Sequence, residues 1–383
     1  MPNRQAYIYS LILSMLLISC KDPFEPELGD MPTEILVVEG YVELEGESII
    51  KLSKTSPIQS ENTGNLVLSA FVALSDAGNN RWEFEEKGDG LYSLEGNFPE
   101  NSEYYLHIQL PNGETYISEA MKPVISPEID VLDYIRDEEG VEIFISTKGT
   151  ETSQYFLWTF EENWVFRPGV ISNLIYDNGS IRRRTEEERI DRCWQKNINP
   201  FIVLQNAARF EDNTILQREL VRIPNFSEKL TQRYRIQVKQ MALDQAAFDF
   251  WDILRRNSED IGGIFSPLPS LITGNIQALS EGMPPAIGHI SMGKTSTKEI
   301  YIDLNDVFPW PVFIQEYEFC NIFNDTIPPN PATITSTFAS GNLIPARDIF
   351  NQMGALLGYR AAEQACTDCR LRGSNVRPEF WED

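Results

Sequence analysis

Two short motifs carry the spacing of known chemistries. Cys366-Thr367-Asp368-Cys369 is spaced like a redox dithiol, and Gly288-His289-Ile290-Ser291-Met292-Gly293-Lys294-Thr295 spells a phosphate-binding P-loop. Each chemistry needs a frame. A redox CxxC wants a strand before it and a helix N-terminus beneath it, which lowers the thiol pKa. Here a helical stretch is expected to precede it, and Arg370, Arg372 and Gly373 follow. A P-loop wants a buried strand before it and a helix after it, so that amides and the helix dipole converge on phosphate. Here Gly282, Pro284 and Pro285 stand before it, and Glu299–Leu304 alternates like a strand. The segment is therefore expected to be a hairpin with Gly293-Lys294 in the turn, and no nucleotide is expected. A four-cysteine zinc site would need a second close pair, but Cys193 and Cys320 each stand alone. His107 and His289 are the two histidines, and they fall in different expected domains, which argues against a His-His metal pair. Arg182-Arg183-Arg184 followed by Glu186-Glu187-Glu188-Arg189 reads as a self-paired surface, since the acids lie within reach. GxSxG, HExxH and EF-hand patterns are missing from the sequence. The expectation is a non-enzymatic protein with no cofactor and no metal.

The N-terminus carries different chemistry. Arg4 precedes an apolar stretch, Tyr7–Ile18, that is too short for a bilayer span of about 20 residues and fits the core of an export signal. It ends Leu17-Ile18-Ser19-Cys20, which resembles the bacterial lipobox, where the cysteine thiol is acylated and becomes the new N-terminus. Residues 1–19 are expected to be removed, leaving lipidated Cys20 as a membrane anchor. Residues 20–32 then form an acidic, Pro-rich tether, kept extended by Pro23, Pro26 and Pro32. Outside the cytoplasm, Cys193, Cys320, Cys366 and Cys369 most simply make two disulfides, with three connectivities open. The preferred pairing sends Cys366 and Cys369 separately to Cys193 and Cys320, pinning the C-terminus to the second domain.

The elements that must position these groups are mostly strands. A chain of 383 residues exceeds a single core and implies two or three domains. Short alternating runs, Ile35–Leu44, Ser48–Ser53, Leu66–Leu74, Arg81–Phe84, Gly90–Leu94 and Tyr104–Gln109, are separated by Gly/Asn/Asp turns. That spacing predicts an immunoglobulin-like β-sandwich over 33–124. A larger β-rich domain with one or two helices is expected over 125–383. Asp244 caps the clear helix, with Ala247, Phe250, Trp251 and Leu254 on one face, and a shorter helix is expected over Ala346–Leu356. The formal net charge is -25, which argues against nucleic acid and against an anionic membrane surface as partner.

The order of landmarks is informative. It runs lipobox, Asp22-Pro23-Phe24, Leu36-Val37-Val38-Glu39-Gly40-Tyr41-Val42, Ser118-Glu119, Pro123, then Ile129-Asp130. Ile264-Phe265-Ser266-Pro267-Leu268-Pro269 leads to Gly274-Asn275-Ile276, and the end carries CxxC, Gly373 and Pro378-Glu379-Phe380-Trp381. This resembles a family of Bacteroidota outer-membrane lipoproteins known only as a domain of unknown function (number forty-two forty-nine), over essentially the whole mature chain. Where that family commonly has Asp in its Phe-Asp-Pro turn, this chain has Ser266. The resemblance implies company with a TonB-dependent outer-membrane receptor and a part in nutrient capture or uptake. It brings no catalytic residues. Lys21-Asp22 with Glu25 partly resembles the surface-export signal of such lipoproteins, so the outer membrane and its external face are expected, with the periplasmic face as the alternative. Asp325-Thr326-Ile327 resembles the Bacteroidota O-glycosylation acceptor, which makes Thr326 a candidate. If the protein binds a glycan or peptide, exposed aromatics would stack on it, and Trp158, Trp164, Phe166, Trp194, Trp310 and Trp381 are the candidates. The alternative is a structural or adhesive surface lipoprotein that holds a partner protein or glycan.

Overall fold

The computed structural model describes residues 34–56, 65–259, 274–280, 282–283 and 285–382. The export signal, Cys20, the tether and Ser266 lie outside the described residues.

The first lobe holds β1 (Leu36–Glu43), β2 (Glu45–Lys54), β3 (Asn65–Leu66), β4 (Phe71–Asp76), β5 (Arg81–Glu83), β6 (Glu85–Gly88), β7 (Leu91–Asn97), β8 (Tyr104–Gln109), β9 (Thr115–Ser118) and β10 (Val124–Ile125). The second lobe begins with β11 (Ile129–Arg136), β12 (Gly140–Lys148), β13 (Tyr155–Phe166), β14 (Leu174–Asp177), β15 (Ser180–Arg183), β16 (Cys193–Ile198), β17 (Val203–Asn206), β18 (Thr214–Pro224) and β19 (Arg233–Leu243). Helix α1 (Gln245–Glu259), β20 (Ile276–Ala278), β21 (Ser291–Lys294), β22 (Ser296–Asp303), helix α2 (Pro331–Phe338), β23 (Leu343–Phe350) and β24 (Leu356–Glu363) complete the main elements. The protein is mainly β, and its N-terminal part is a two-sheet β-sandwich around one core.

Alternation builds that sandwich. In β8, Tyr104, Leu106 and Ile108 point inward, and in β2, Ile50 and Leu52 do the same from the facing sheet. One sheet runs β10-β21-β1-β2-β7-β6 and the other β20-β9-β8-β4-β5. The contiguous boundary expected at residue 124 is therefore corrected. Residues 276–278 pair antiparallel with β9, and residues 291–294 pair parallel with both β1 and β10. A parallel strand needs a long crossover, which the intervening second-lobe segment supplies.

The same segment corrects the expected hairpin. Residues 291–294 belong to the first lobe and 296–303 pair with β19 in the second, so the chain changes sheets at Thr295. The glycines of the P-loop spelling serve close approach. A Cβ on Gly288, which has φ +141°, would fall 2.0 Å from the Val38 carbonyl oxygen, and one on Gly293 would fall 1.9 Å from that of Val124. Lys294 is exposed and pairs with Glu45 at 2.9 Å.

The second lobe is a second sandwich. Val141, Ile143 and Ile145 of β12 pack against Phe156, Trp158 and Phe160 of β13 and Tyr234, Ile236 and Val238 of β19. Two disulfides, Cys193–Cys369 and Cys320–Cys366, tie the C-terminal segment to this lobe. They match the preferred separation of the CxxC pair. Trp381 then packs beside Val165 and Trp194, and the Arg235 guanidinium lies 4.1 Å from the Phe380 ring centroid. The helix expected over Ala346–Leu356 is instead the β23–β24 hairpin. Its turn is set by Asn351, whose Oδ1 accepts from Met353 and Ala355 amides at 2.9 Å, and by Gly354 at φ +81°.

Candidate ligand-binding cleft

The central sheet of the second lobe has two different faces. Even-numbered residues of β13 fill the sandwich core, while Leu157 and Thr159 point the other way, toward the first lobe. Across the ladder, Leu157 stands opposite Met241, Thr159 opposite Lys239 and Tyr155 opposite Leu243. Tyr41 faces this row from the first lobe, with Ile49 beside it on β2 and Ser291 on β21. Helix α1 closes one side. Asp244 caps it, Oδ1 accepting from the Ala247 amide at 2.7 Å, and this sets Trp251 over the cleft and Phe250 against His289, ring centroids 5.6 Å apart.

Between these rows lies a cleft of about 290 Å³. Ile49, Leu157, Met241, Leu243 and Trp251 give it apolar walls. Its polar groups are unusual. The Tyr41 hydroxyl, His289 Nδ1 and Ser291 Oγ are buried and meet no hydrogen-bond partner among the described residues. Burial, reinforced by the Glu43 carboxylate, pushes the Tyr41 hydroxyl far above its ordinary pKa, so it stays protonated. Burial likewise lowers the His289 pKa, which favours the neutral imidazole. Lys239 is already paired, its Nζ 2.5 Å from Glu43 Oε1, and Thr295 Oγ1 donates to the same oxygen at 3.0 Å. The cleft thus offers polar hydrogen-bonding atoms in an apolar frame with little unbalanced charge.

The sequence-derived aromatic candidates lie elsewhere, and their proposed stacking role is corrected. Trp158, Trp164, Phe166 and Trp310 all belong to the second-lobe core, and Trp194 and Trp381 to the smaller cluster beneath the C-terminus. Trp158 is fully buried, its Nε1 donating to Gln240 Oε1 at 2.9 Å. Trp310 donates to the Ser227 carbonyl at 2.9 Å. Alternating aromatics on a central strand are core by the same periodicity that makes the strand. The arginine run is self-paired only in part: Arg182 bridges Asp177 and Glu188, Arg183 reaches the distant Asp348, and Arg184 donates to the Glu188 carbonyl while its Nε is buried without a partner among the described residues. His107 sits on β8 with its Nε2 2.7 Å from Ser75 Oγ. Thr326 is exposed.

Sequence reasoning missed Tyr41, Ile49, Lys239 and Trp251 as cleft residues and placed His289 in a hairpin whose turn was Gly293-Lys294. One signal pointed here. Gly40-Tyr41, Ser118-Glu119 and Gly274-Asn275-Ile276 all converge around His289. Asn275 clamps Ile290 through both backbone groups, at 2.8 and 2.9 Å, and a second pocket lined by Glu119, Asn275, His289 and Ser291 adjoins them.

Fold and cleft together define a two-lobed β protein with a small amphipathic pocket where the lobes meet. The chain belongs to the family described as Domain of unknown function (DUF4249), whose model matches residues 21–299. That span contains both sheets of the first lobe and every residue lining the cleft. No curated protein matches the sequence. Among solved structures, a two-domain fibronectin type-III segment from chicken tenascin is similar at 9% identity, covering 55% of this chain and 92% of that one, with a TM-score of 0.17. A likeness that slight says nothing about function.

Proposed function

We propose that this protein is an outer-membrane lipoprotein, anchored through Cys20, that serves as a non-enzymatic accessory or ligand-binding subunit of a TonB-dependent transporter. The anchor rests on the lipobox, directly after which the family match begins at residue 21. The observation that carries the ligand-binding part is the interlobe cleft, with three partnerless buried polar atoms on an apolar frame. The transporter partnership rests on the family resemblance of the sequence landmarks. Copurification of the lipidated protein from membranes in mild detergent tests it: a barrel at stoichiometric yield supports the reading, and a preparation without one defeats it.

A structural or adhesive role is the second reading. Phe308, Val312, Phe313 and Phe319 are exposed close together in sequence, and the Phe313 amide donates to the Phe226 carbonyl, so exposed Phe226 joins the group. Such an apolar group is what a partner protein would cover. Thr326 is further proposed as an O-glycan acceptor, which intact-mass analysis of the native protein reads directly.

A further inference from the structure

The cleft's dimensions and chemistry restrict what could occupy it. A cavity of about 150 Å³ lined by apolar residues holds one benzene ring. At about 290 Å³, this cleft has room for a molecule of roughly two fused rings. Its walls are apolar on both lobes, with Tyr41 and Trp251 contributing ring surface. A buried hydroxyl or imidazole nitrogen left without a partner destabilises the fold, because its lost hydration is not replaced. Tyr41, His289 and Ser291 all line the cleft and each carries one such atom, and His289 is only 8% exposed. A ligand bearing a hydroxyl or amide would satisfy what the protein leaves open.

Charge narrows the class further. Lys239, the cation in the cleft, is neutralised by Glu43, and Glu47 lies at the lining as well. A carboxylate would meet no free cation there, and it would lose its hydration on entry. The hydroxyls and neutral imidazole can each donate or accept, which suits a neutral polar group better than an ion.

We propose that the interlobe cleft binds a small, uncharged, aromatic or alicyclic molecule of about two-ring size that carries a hydroxyl or amide group, held between Tyr41, His289 and Ser291 on one side and Leu157, Met241 and Trp251 on the other. This rests on the ligand-binding half of the proposed function and is independent of any barrel partner. The test uses the full mature chain with Cys20→Ala, so that detergent is not needed, and calorimetric titration with 2-naphthol, naphthalene and 2-naphthoate as probes. 2-Naphthol binds at one site per chain, naphthalene about tenfold more weakly for want of one hydrogen bond, and 2-naphthoate more weakly than 2-naphthol. Tyr41→Phe with Ser291→Ala removes partnerless hydroxyls, so folding is spared, and brings 2-naphthol down toward naphthalene. Ile49→Trp, at a half-exposed position beside Tyr41, blocks both. The proposal is overturned if no probe binds saturably, if 2-naphthol and naphthalene bind equally, if 2-naphthoate binds best, or if Ile49→Trp changes nothing. None of these outcomes bears on copurification with a barrel, so the two readings fail separately.

Discussion

Replacing Cys193 and Cys369 together with alanine removes the bridge that spans a sequence separation of 176 residues. In the chain-entropy account, closing a loop that long restrains the unfolded chain by about 5 kcal/mol at 25 °C. The Cys320–Cys366 bridge lies inside this loop and shortens the free path by a separation of 46 residues. Because loop entropy is logarithmic, that lowers the figure by only a few tenths of a kcal/mol. Both sulfurs sit in residues with no exposed surface, within the second-lobe core, so the alanines also leave a little space. The expected loss is about 3–5 kcal/mol, or roughly 6–20 °C in Tm for a lobe of this size. Guanidinium unfolding followed by tryptophan fluorescence is a suitable assay. Six of the seven tryptophans, all but Trp82, lie in the second lobe or on α1, so the signal reports the lobe that the bridge holds. A loss below about 1 kcal/mol, or a disulfide map in which Cys193 pairs elsewhere, would refute the reasoning.

Trp158→Ala empties a fully buried site stacked on Phe156 and orphans Gln240 Oε1, so a loss of about 3–5 kcal/mol is expected in denaturant melts, with Trp158→Phe nearer 1–3. Gly288→Ala forces a Cβ into the Val38 carbonyl and should destabilise the first lobe at the β1 crossing, read by circular dichroism melts. His289 and His107 are both held below their ordinary pKa, chiefly by burial, so the unfolded chain takes up protons first. Their contribution is complete above the unfolded value of about 6.5 and is lost as pH falls through the folded values, so stability should decline on acidification below that point. His289→Asn should flatten that slope; an unchanged slope would contradict the assignment. Mild reductant should open Cys320–Cys366 before Cys193–Cys369, because Cys320 is partly exposed and the other pair is not; timed alkylation and mass spectrometry read the order.

Periodicity made the local elements legible. Tyr104–Gln109 forms a strand over the residues whose alternation marks it, and Asp244 caps the helix that its apolar stripe announces. Sequence reasoning lost what depends on distant pairing. No local pattern in 276–294 says that it returns to strands begun at residues 36 and 115. Ala346–Leu356 has helix formers at its ends, but tertiary pairing with 356–363 overrides them, and Asn351 with Gly354 makes the turn. Helix α2 went unread because Thr and Ile fill it, although Asn330-Pro331 carries its cap, Oδ1 accepting from the Thr333 amide. The cleft was the least legible feature. Its residues come from separate segments around 40–49, 157–159, 239–251 and 289–291, and each reads alone as ordinary strand or helix.

The partnership with a transporter is tested most directly by native mass spectrometry of the protein drawn from outer membranes in mild detergent, with Cys20→Ala as control. The account predicts an acylated chain bound to one TonB-dependent barrel, and loss of both the acyl mass and the barrel in the control. An acylated chain that runs free of any barrel would contradict it.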